Sequence, residues 1–277
     1  MSDSLEIHRG TAPLIVSFPH TGTNIPAEIE EHLVSPWLAR KDTDWWVHLL
    51  YDMAAKLNAT TVRTTISRTV IDVNRDPSGA SLYPGQVTTE LCPLTTFDGE
   101  PLYLPGREPD AAEIASRRTR FFEPYHAALV IEIDRLHAEY GHVVLYDAHS
   151  IRSHVPRLFA GELPNFNIGT NGGTTCNPAL TQTIEATCRD SRLTSVVNGR
   201  FKGGWTTRHY GQPTQGVHAV QMELACRSYF DEPTGALTPN NWPPAYDPAR
   251  AAHVRNILGE VLFNCIEFID SLPRRSS

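Results

Sequence analysis

The sequence predicts an α/β protein in which a mixed, largely parallel central sheet lies between helices. Short apolar runs bounded by turn residues predict buried strands, and segments with apolar residues at helical spacing alternate with them. Such alternation is typical of a sheet covered by helices. The chain of 277 residues contains no repeat, low-complexity tract or linker that would divide it, so we expect one catalytic domain over residues 1–277.

Two apolar runs predict fully buried strands. The first covers residues 13–18 and is followed by the turn residues PHTG, and the second covers 142–146 and is followed by DAHS. Further strands are predicted at 61–66, 69–73, 194–198 and 217–224.

Helical periodicity and irregular composition account for most of the remaining chain. Apolar residues recur at helical steps and predict helices at 42–57, 110–140, 178–190 and 247–271. Residues 76–109 and 199–216 are rich in turn formers and predict long loops. Because long irregular segments in a compact domain are usually functional or mobile, both are candidate parts of a site.

Composition excludes several classes of protein. With 24 basic and 31 acidic residues the net charge is −7, which argues against nucleic acid or an anionic membrane as a partner. The five cysteines contain no C-x-x-C pair, which argues against a disulfide framework or a thiolate zinc site. Since no signal-peptide pattern or membrane-length apolar run is present, we expect a cytoplasmic monomer or small homo-oligomer.

The residues that follow the two buried strands predict a metal site. His20 and His149 each follow a strand, and ligands of α/β sheets gather at the carboxyl ends of strands. Catalytic zinc commonly takes two histidines and one acid. Asp44 is the preferred acid and Asp42 is the alternative, although either could instead cap a helix. Asp147, two residues before His149, could orient a metal ligand through a hydrogen bond without binding the metal itself.

Glu223 is the candidate general base. It lies in the mostly apolar run VQMEL, where a carboxylate needs a partner. A metal-activated water would be a suitable partner, since a nearby carboxylate can take its proton. A structural salt bridge is an equally good explanation from the sequence alone.

Several arginines stand close to small residues or to the predicted metal ligands. Each alone could form a surface ion pair, but together, near predicted metal ligands, they favour a pocket for an anionic substrate, because guanidinium matches carboxylate geometry. The candidates are Arg68, Arg75 with its neighbour Asn74, Arg152, Arg200 and Arg208.

Six segments resemble the N-formylglutamate amidohydrolase family. The more specific ones contain DAHSIRS and NGRFKGGWTTRHYG, and the resemblance extends from near the start of the chain to about residue 230. The segments are SFPHTGTNIP (17–26), DTDWWVHLLYD (42–52), SRTVIDVNRDPSG (67–79), LYDAHSIRSHVPRLF (145–159), NGRFKGGWTTRHYG (198–211) and HAVQMELA (218–225).

The resemblance implies a zinc carboxypeptidase-like (phosphorylase/hydrolase-like) fold and hydrolysis of N-formyl-L-glutamate to formate and L-glutamate, a step of histidine degradation. It implies one divalent ion, with Zn²⁺ expected, held by His20, Asp44 and His149. Zinc carboxypeptidases take their acid from H-x-x-E, whereas Thr23 occupies that offset here. The acid must therefore come from elsewhere, and Asp44 supplies it.

The resemblance also implies roles for the other candidates. Glu223 corresponds to the catalytic glutamate and Arg68 to the group that stabilises the carbonyl oxygen. The two substrate carboxylates are assigned to Asn74, Arg75 and one or more of Arg152, Arg200 and Arg208. Two alternatives stay open: a metal-dependent amidohydrolase for another N-acyl amino acid or small peptide, and a non-catalytic protein that binds anionic metabolites.

Overall fold

The computed structural model describes residues 4–81, 85 and 88–273. Within these residues the strands form a single sheet, with the order β1-β3-β2-β4-β7-β5-β6. The strands are β1 (Leu5–His8), β2 (Leu14–Phe18), β3 (Thr60–Thr64), β4 (Val143–Ile151), β5 (Phe166–Gly169), β6 (Ser195–Val197) and β7 (Val217–Ala225).

The central strands of the sheet are parallel. β3, β2, β4 and β7 run in one direction, whereas β1 is antiparallel to β3 and β5 is antiparallel to β7. β6 is parallel to β5. The predicted mixed, largely parallel sheet is thereby confirmed.

Helices cover both faces of this sheet, as predicted. The helices are α1 (Ala27–Glu30), α2 (Val47–Leu50), α3 (Met53–Lys56), α4 (Ala111–Arg117), α5 (Glu123–Tyr140), α6 (Pro178–Asp190), α7 (Trp205–Tyr210) and α8 (Pro248–Asp270). Alternate residues of β4 belong to two cores: Val144 and Tyr146 pack with α8, α6 and α2, whereas Val143 and Leu145 pack with α5.

The two best-predicted helices have strong local start signals. Asn177 and Asp247 cap α6 and α8 through side-chain oxygens that accept backbone N–H groups, and each helix has proline in its first turn. Both features satisfy or remove the unpaired donors of a helix start. Within the described part of the chain, no helix is both long and apolar enough to cross a membrane.

Some predicted elements are wrong. The apolar run 69–73 forms turns instead of a strand: Val70 N donates to Ser67 O and Arg75 N to Asp72 O, each 3.2 Å or less. Its apolar side chains still enter the core beside α5, and an apolar run alone does not distinguish a buried turn from a strand.

The remaining differences are one divided helix and several elements that the sequence did not predict. The predicted helix at 42–57 is two single turns, α2 and α3, and the left-handed backbone of Trp46 (φ 63°) precedes the first. α7 lies inside the predicted loop 199–216, and β1 and β5 were not predicted. The excursion at 76–109 is irregular where it is described, whereas residues 82–84 and 86–87 lie outside the described residues.

The loop after β2 lies against the turn that follows β3. Gly22 and Asn24 form parallel bridges to Ser67 and Ile66. A Cβ on Gly22 would stand 2.3 Å from the carbonyl oxygen of Ile66, so this close approach requires glycine. The contact brings the 66–75 turn over the carboxyl ends of β2 and β4.

Candidate metal centre and its cavity

Two histidines and one aspartate meet at the carboxyl edge of the sheet. The ligand-type atoms of His20, Asp44 and His149 all lie within 4.8 Å of one another. The Nδ1 atoms of the histidines are 3.1 Å apart, and Asp44 Oδ2 lies 3.6 Å from Nδ1 of His20 and 3.1 Å from Nδ1 of His149. The three buried side chains thus present nitrogen and oxygen atoms to a common point.

A carboxylate holds the outer nitrogen of each histidine. His20 Nε2 lies 2.6 Å from Asp72 Oδ1, and His149 Nε2 lies 2.9 Å from Asp147 Oδ2. With a metal ion at the centre, a proton on each Nε2 would be donated to its carboxylate, and both Nδ1 atoms would be free to act as ligands. Carboxylates in this position fix the tautomer of metal-binding histidines and raise their basicity.

Asp44 presents Oδ2 to the two histidines. This oxygen also accepts the backbone N–H of Ser150 at 3.2 Å, whereas Oδ1 is buried without a hydrogen-bond partner among the described residues and lies 3.6 Å from Arg68 Nη1. Burial by itself raises the pKa of Asp44, but the charges of His20 and the hydrogen bonds from both histidines outweigh it and hold that pKa below its usual value. An ionised carboxylate between two imidazole nitrogens fits a divalent ion.

Asp42, the alternative acid, has other partners. Its Oδ2 accepts the backbone N–H of Phe97 at 2.6 Å, and its Oδ1 lies 3.3 Å from Nη2 of Arg152. The structure therefore groups Asp44, and not Asp42, with the two histidines.

Glu223 lies on β7 directly beside His149 on β4. It is only 7% exposed, and its Oε2 accepts a hydrogen bond from Gln221 Nε2 at 3.1 Å. Burial, together with the negative charge of Asp44, raises the pKa of Glu223 to about 8, although His149 and Arg68 oppose the rise. A cation at the centre would oppose it further and favour the carboxylate form that accepts a proton.

The centre opens into a cavity with basic and apolar walls. His20, His149 and Glu223 line it at the sheet edge. The basic side chains in the lining are Arg68, Arg75 and Arg200, and the apolar ones are Phe97, Ile151, Leu158 and Phe201.

Each lining arginine is held by a specific partner. Arg68 Nη2 donates to Asp72 Oδ2 at 2.7 Å. Arg75 Nη2 donates to Thr89 Oγ1 at 2.9 Å. Arg200 Nε donates to the carbonyl of Leu158 at 2.8 Å. These contacts position three guanidinium groups around one cavity, an arrangement suited to an anionic ligand.

Comparison with known proteins decides the family. The family model described as N-formylglutamate amidohydrolase matches residues 12–230, well over half of the chain. The chain belongs to the N-formylglutamate amidohydrolase family. Two curated relatives are each named N-formylglutamate deformylase. The protein from Pseudomonas aeruginosa is 46% identical over 95% of this chain and 96% of its own, and the Pseudomonas putida protein is 44% identical over 84% and 87%.

A solved structure supports the fold of this family member. It is the N-formylglutamate amidohydrolase from Ralstonia eutropha JMP134, which superposes with a TM-score of 0.79 over 97% of this chain and 99% of its own. Its sequence is 23% identical.

Two arginines predicted for substrate binding lie elsewhere in this family member. Among the described residues that line the cavity, neither Arg152 nor Arg208 is found. Arg152 pairs with Asp42 and with Asp98, at 3.3 and 2.9 Å. Arg208 Nε donates to the carbonyl of Gly203 at 2.9 Å.

Asn74 lines the cavity, but its amide has protein partners. Oδ1 accepts the backbone N–H of Thr206 at 2.8 Å, and Nδ2 donates to Asp147 Oδ2 at 3.1 Å. Nδ2 also lies 3.0 Å from Nε2 of His149. The structure thus places Asn74 in contact with His149, a candidate metal ligand, and with its partner Asp147.

Sequence reasoning missed Asp72 and Gln221. Asp72 contacts both His20 and Arg68, and Gln221 links Glu223 to the backbone N–H of Gly204. Asp72 carried the same signal as Glu223, a carboxylate within an apolar run, and such a group needs a buried partner.

Asp147→Asn is expected to weaken zinc affinity about 10- to 100-fold. The substitution keeps an oxygen near His149 Nε2 but removes the charge that makes the imidazole more basic. Competition with a chromophoric chelator measures the change. Ser17→Ala should lower zinc affinity less, since it removes only the 2.6 Å hydrogen bond to the other oxygen of Asp147. Wild-type zinc affinity in Asp147→Asn would show that this carboxylate does not support the metal.

Proposed function

We propose that this member of the family hydrolyses N-formyl-L-glutamate to formate and L-glutamate, the reaction named for its curated relatives. We further propose that one divalent ion, expected to be Zn²⁺, is held by His20, Asp44 and His149. The observation that carries the proposal is the convergence of two imidazole Nδ1 atoms and Asp44 Oδ2 beside a cavity that also contains Glu223 and arginines.

The reacting end of the cavity contains the groups that amide hydrolysis needs. When bound, a divalent ion supplies a water of lowered pKa and polarises a carbonyl oxygen. Glu223 accepts the proton of the attacking water and then donates it to the leaving amine nitrogen. Arg68 stabilises the oxyanion, a role supported by the 3.6 Å distance between its Nη1 and Asp44 Oδ1.

The other arginines suit the two carboxylates of the substrate. Arg75 and Arg200 line the cavity, and a guanidinium can bind a carboxylate through two parallel hydrogen bonds. We assign the substrate carboxylates to these two residues and leave out Arg152 and Arg208, whose placement is outside the cavity lining. Asn74 acts through its contact with Asp147.

Product release across a small substrate panel tests the proposed function. The purified protein is loaded with Zn²⁺ and supplied with N-formyl-L-glutamate, N-formyl-L-aspartate or N-acetyl-L-glutamate, and the free amino acid is measured. We expect the highest kcat/KM with N-formyl-L-glutamate and loss of activity on chelation. Preference for another acyl amino acid would favour a related amidohydrolase, and absence of turnover with any zinc or cobalt loading would favour a binding protein.

A further inference from the structure

We propose that Phe97 is a specificity-determining residue that restricts the acyl group of the substrate to formyl. This inference rests on the proposed function, because it concerns the acyl group that the same centre would cleave. Phe97 lies in the irregular excursion, within a turn closed by the hydrogen bond from Gly99 N to Thr96 O at 2.9 Å. Its ring is among the cavity-lining side chains.

The ring of Phe97 lies at the reacting end of the cavity. The guanidinium carbon of Arg68 is 4.8 Å from the centre of the ring, and Nη1 of the same arginine is 3.6 Å from Asp44 Oδ1. A carbonyl oxygen that is stabilised by Arg68 beside the metal ligands therefore brings its carbon next to Phe97. The substituent on that carbon, hydrogen in formyl and methyl in acetyl, meets the ring.

A second aromatic residue of the cavity is associated with a different arginine. Phe201 lies beside Arg200, whose guanidinium carbon is 5.3 Å from the ring centre. Because we assign Arg200 to a substrate carboxylate, Phe201 borders the amino-acid part of the substrate. Phe201 packs against the same apolar cluster as Phe97 but lies beside a different arginine, so Phe201→Ala is a control for the loss of an aromatic ring from this wall of the cavity.

A network of charged side chains holds the Phe97 turn in place. Asp42 accepts the backbone N–H of Phe97 at 2.6 Å and faces Arg152 at 3.3 Å. Asp98 accepts from Arg152 at 2.9 Å and from Lys41 at 2.7 Å. Withdrawal of the turn would therefore separate ion pairs that are mostly buried, at a cost larger than the gain from one extra methyl contact. The ring itself packs in an apolar cluster with Ile151 and Val155.

This network explains two residues that sequence reasoning assigned to the site itself. Asp42 precedes the candidate ligand Asp44 by two residues, and Arg152 follows His149 by three. Both connect ligand-bearing segments to the turn that carries Phe97. They act as positioning residues for the wall of the cavity, in contact with neither the centre nor the substrate.

The proposal predicts a change in acyl preference when the ring is removed. In wild type the ratio of kcat/KM for N-formyl-L-glutamate over N-acetyl-L-glutamate is expected to be high, since one methyl group in a closed pocket is discriminated roughly 10- to 200-fold. Phe97→Ala should lower this ratio at least about tenfold. Phe97→Leu, which keeps an apolar side chain in the turn, should lower it less.

Release of L-glutamate from both substrates measures the ratio, and the inhibition constant of N-acetyl-L-glutamate against formate release gives a second readout. Phe201→Ala should change KM for both substrates in parallel and leave the ratio as in wild type. An unchanged ratio and inhibition constant in both Phe97 variants would overturn the proposal. A wild-type protein that releases no formate would refute the proposed function and this inference together, whereas normal formate release with an unchanged ratio would refute only the inference.

Discussion

Glu223→Gln is expected to lower kcat about 100- to 10,000-fold, the range that a positioned general base contributes. The amide has the shape of the carboxylate but cannot accept the proton of the attacking water. Because the side chain lies on β7 beside His149 without being one of the three proposed metal ligands, zinc content should match that of wild type. KM should also stay near its wild-type value.

The contact with Gln221 makes this substitution conservative. Gln221 Nε2 donates to Glu223 Oε2 at 3.1 Å, and an amide oxygen at position 223 can accept the same hydrogen bond. We expect kcat, measured from formate release at saturating N-formyl-L-glutamate, to fall while the zinc content of the same samples stays unchanged. This comparison separates a chemical defect from metal loss. A kcat within about threefold of wild type would contradict the assignment of Glu223 as general base.

Glu132→Gln provides the control for loss of a buried carboxylate. Glu132 is 1% exposed on α5, where it pairs with Arg9 and Arg135 at 2.6 and 2.8 Å. This site is outside the cavity, so its loss should lower stability without lowering kcat. A similar kcat in Glu132→Gln and wild type would therefore assign the defect of Glu223→Gln to the position of the carboxylate.

The sequence predicted the elements whose local signals agree with their packing. The mostly apolar runs at 13–18 and 217–224 form central strands that hydrogen-bond to a neighbouring strand on each side. The helices α6 and α8 each have a capping side chain and a proline in the first turn. Where packing and local pattern differ, prediction failed. Val70 and Val73 are apolar because they enter the core beside α5, although their backbone turns to bring Asp72 to His20.

The same limit applies to the site. His20 and His149 could be paired because the carboxyl ends of parallel strands share one edge of a sheet. Arg152 follows His149 closely in sequence, but it lies beyond the end of β4, and its guanidinium pairs with Asp42 and Asp98. Such long-range partners are fixed by tertiary packing and carry no local signal.

The choice between Asp44 and Asp42 leads to the second large expected effect. Asp44→Asn should lower zinc affinity at least about a hundredfold and abolish most turnover, since a neutral amide is a poor replacement for an anionic ligand. The amide oxygen can still accept the backbone N–H of Ser150, so the local backbone should be retained. Metal content after dialysis and competition with a chromophoric chelator measure the loss.

Asp42→Asn is the matched control, because it makes the same chemical change two residues earlier. Its carboxylate faces Arg152 and the backbone N–H of Phe97, and it does not belong to the cluster of His20, Asp44 and His149. Zinc affinity should therefore be kept in Asp42→Asn, while the weakened hold on the Phe97 turn should lower the preference for formyl over acetyl. If Asp42→Asn lost zinc and Asp44→Asn kept it, the third ligand would be Asp42, and the convergence of Asp44 with the two histidines would reflect an ion pair within the fold.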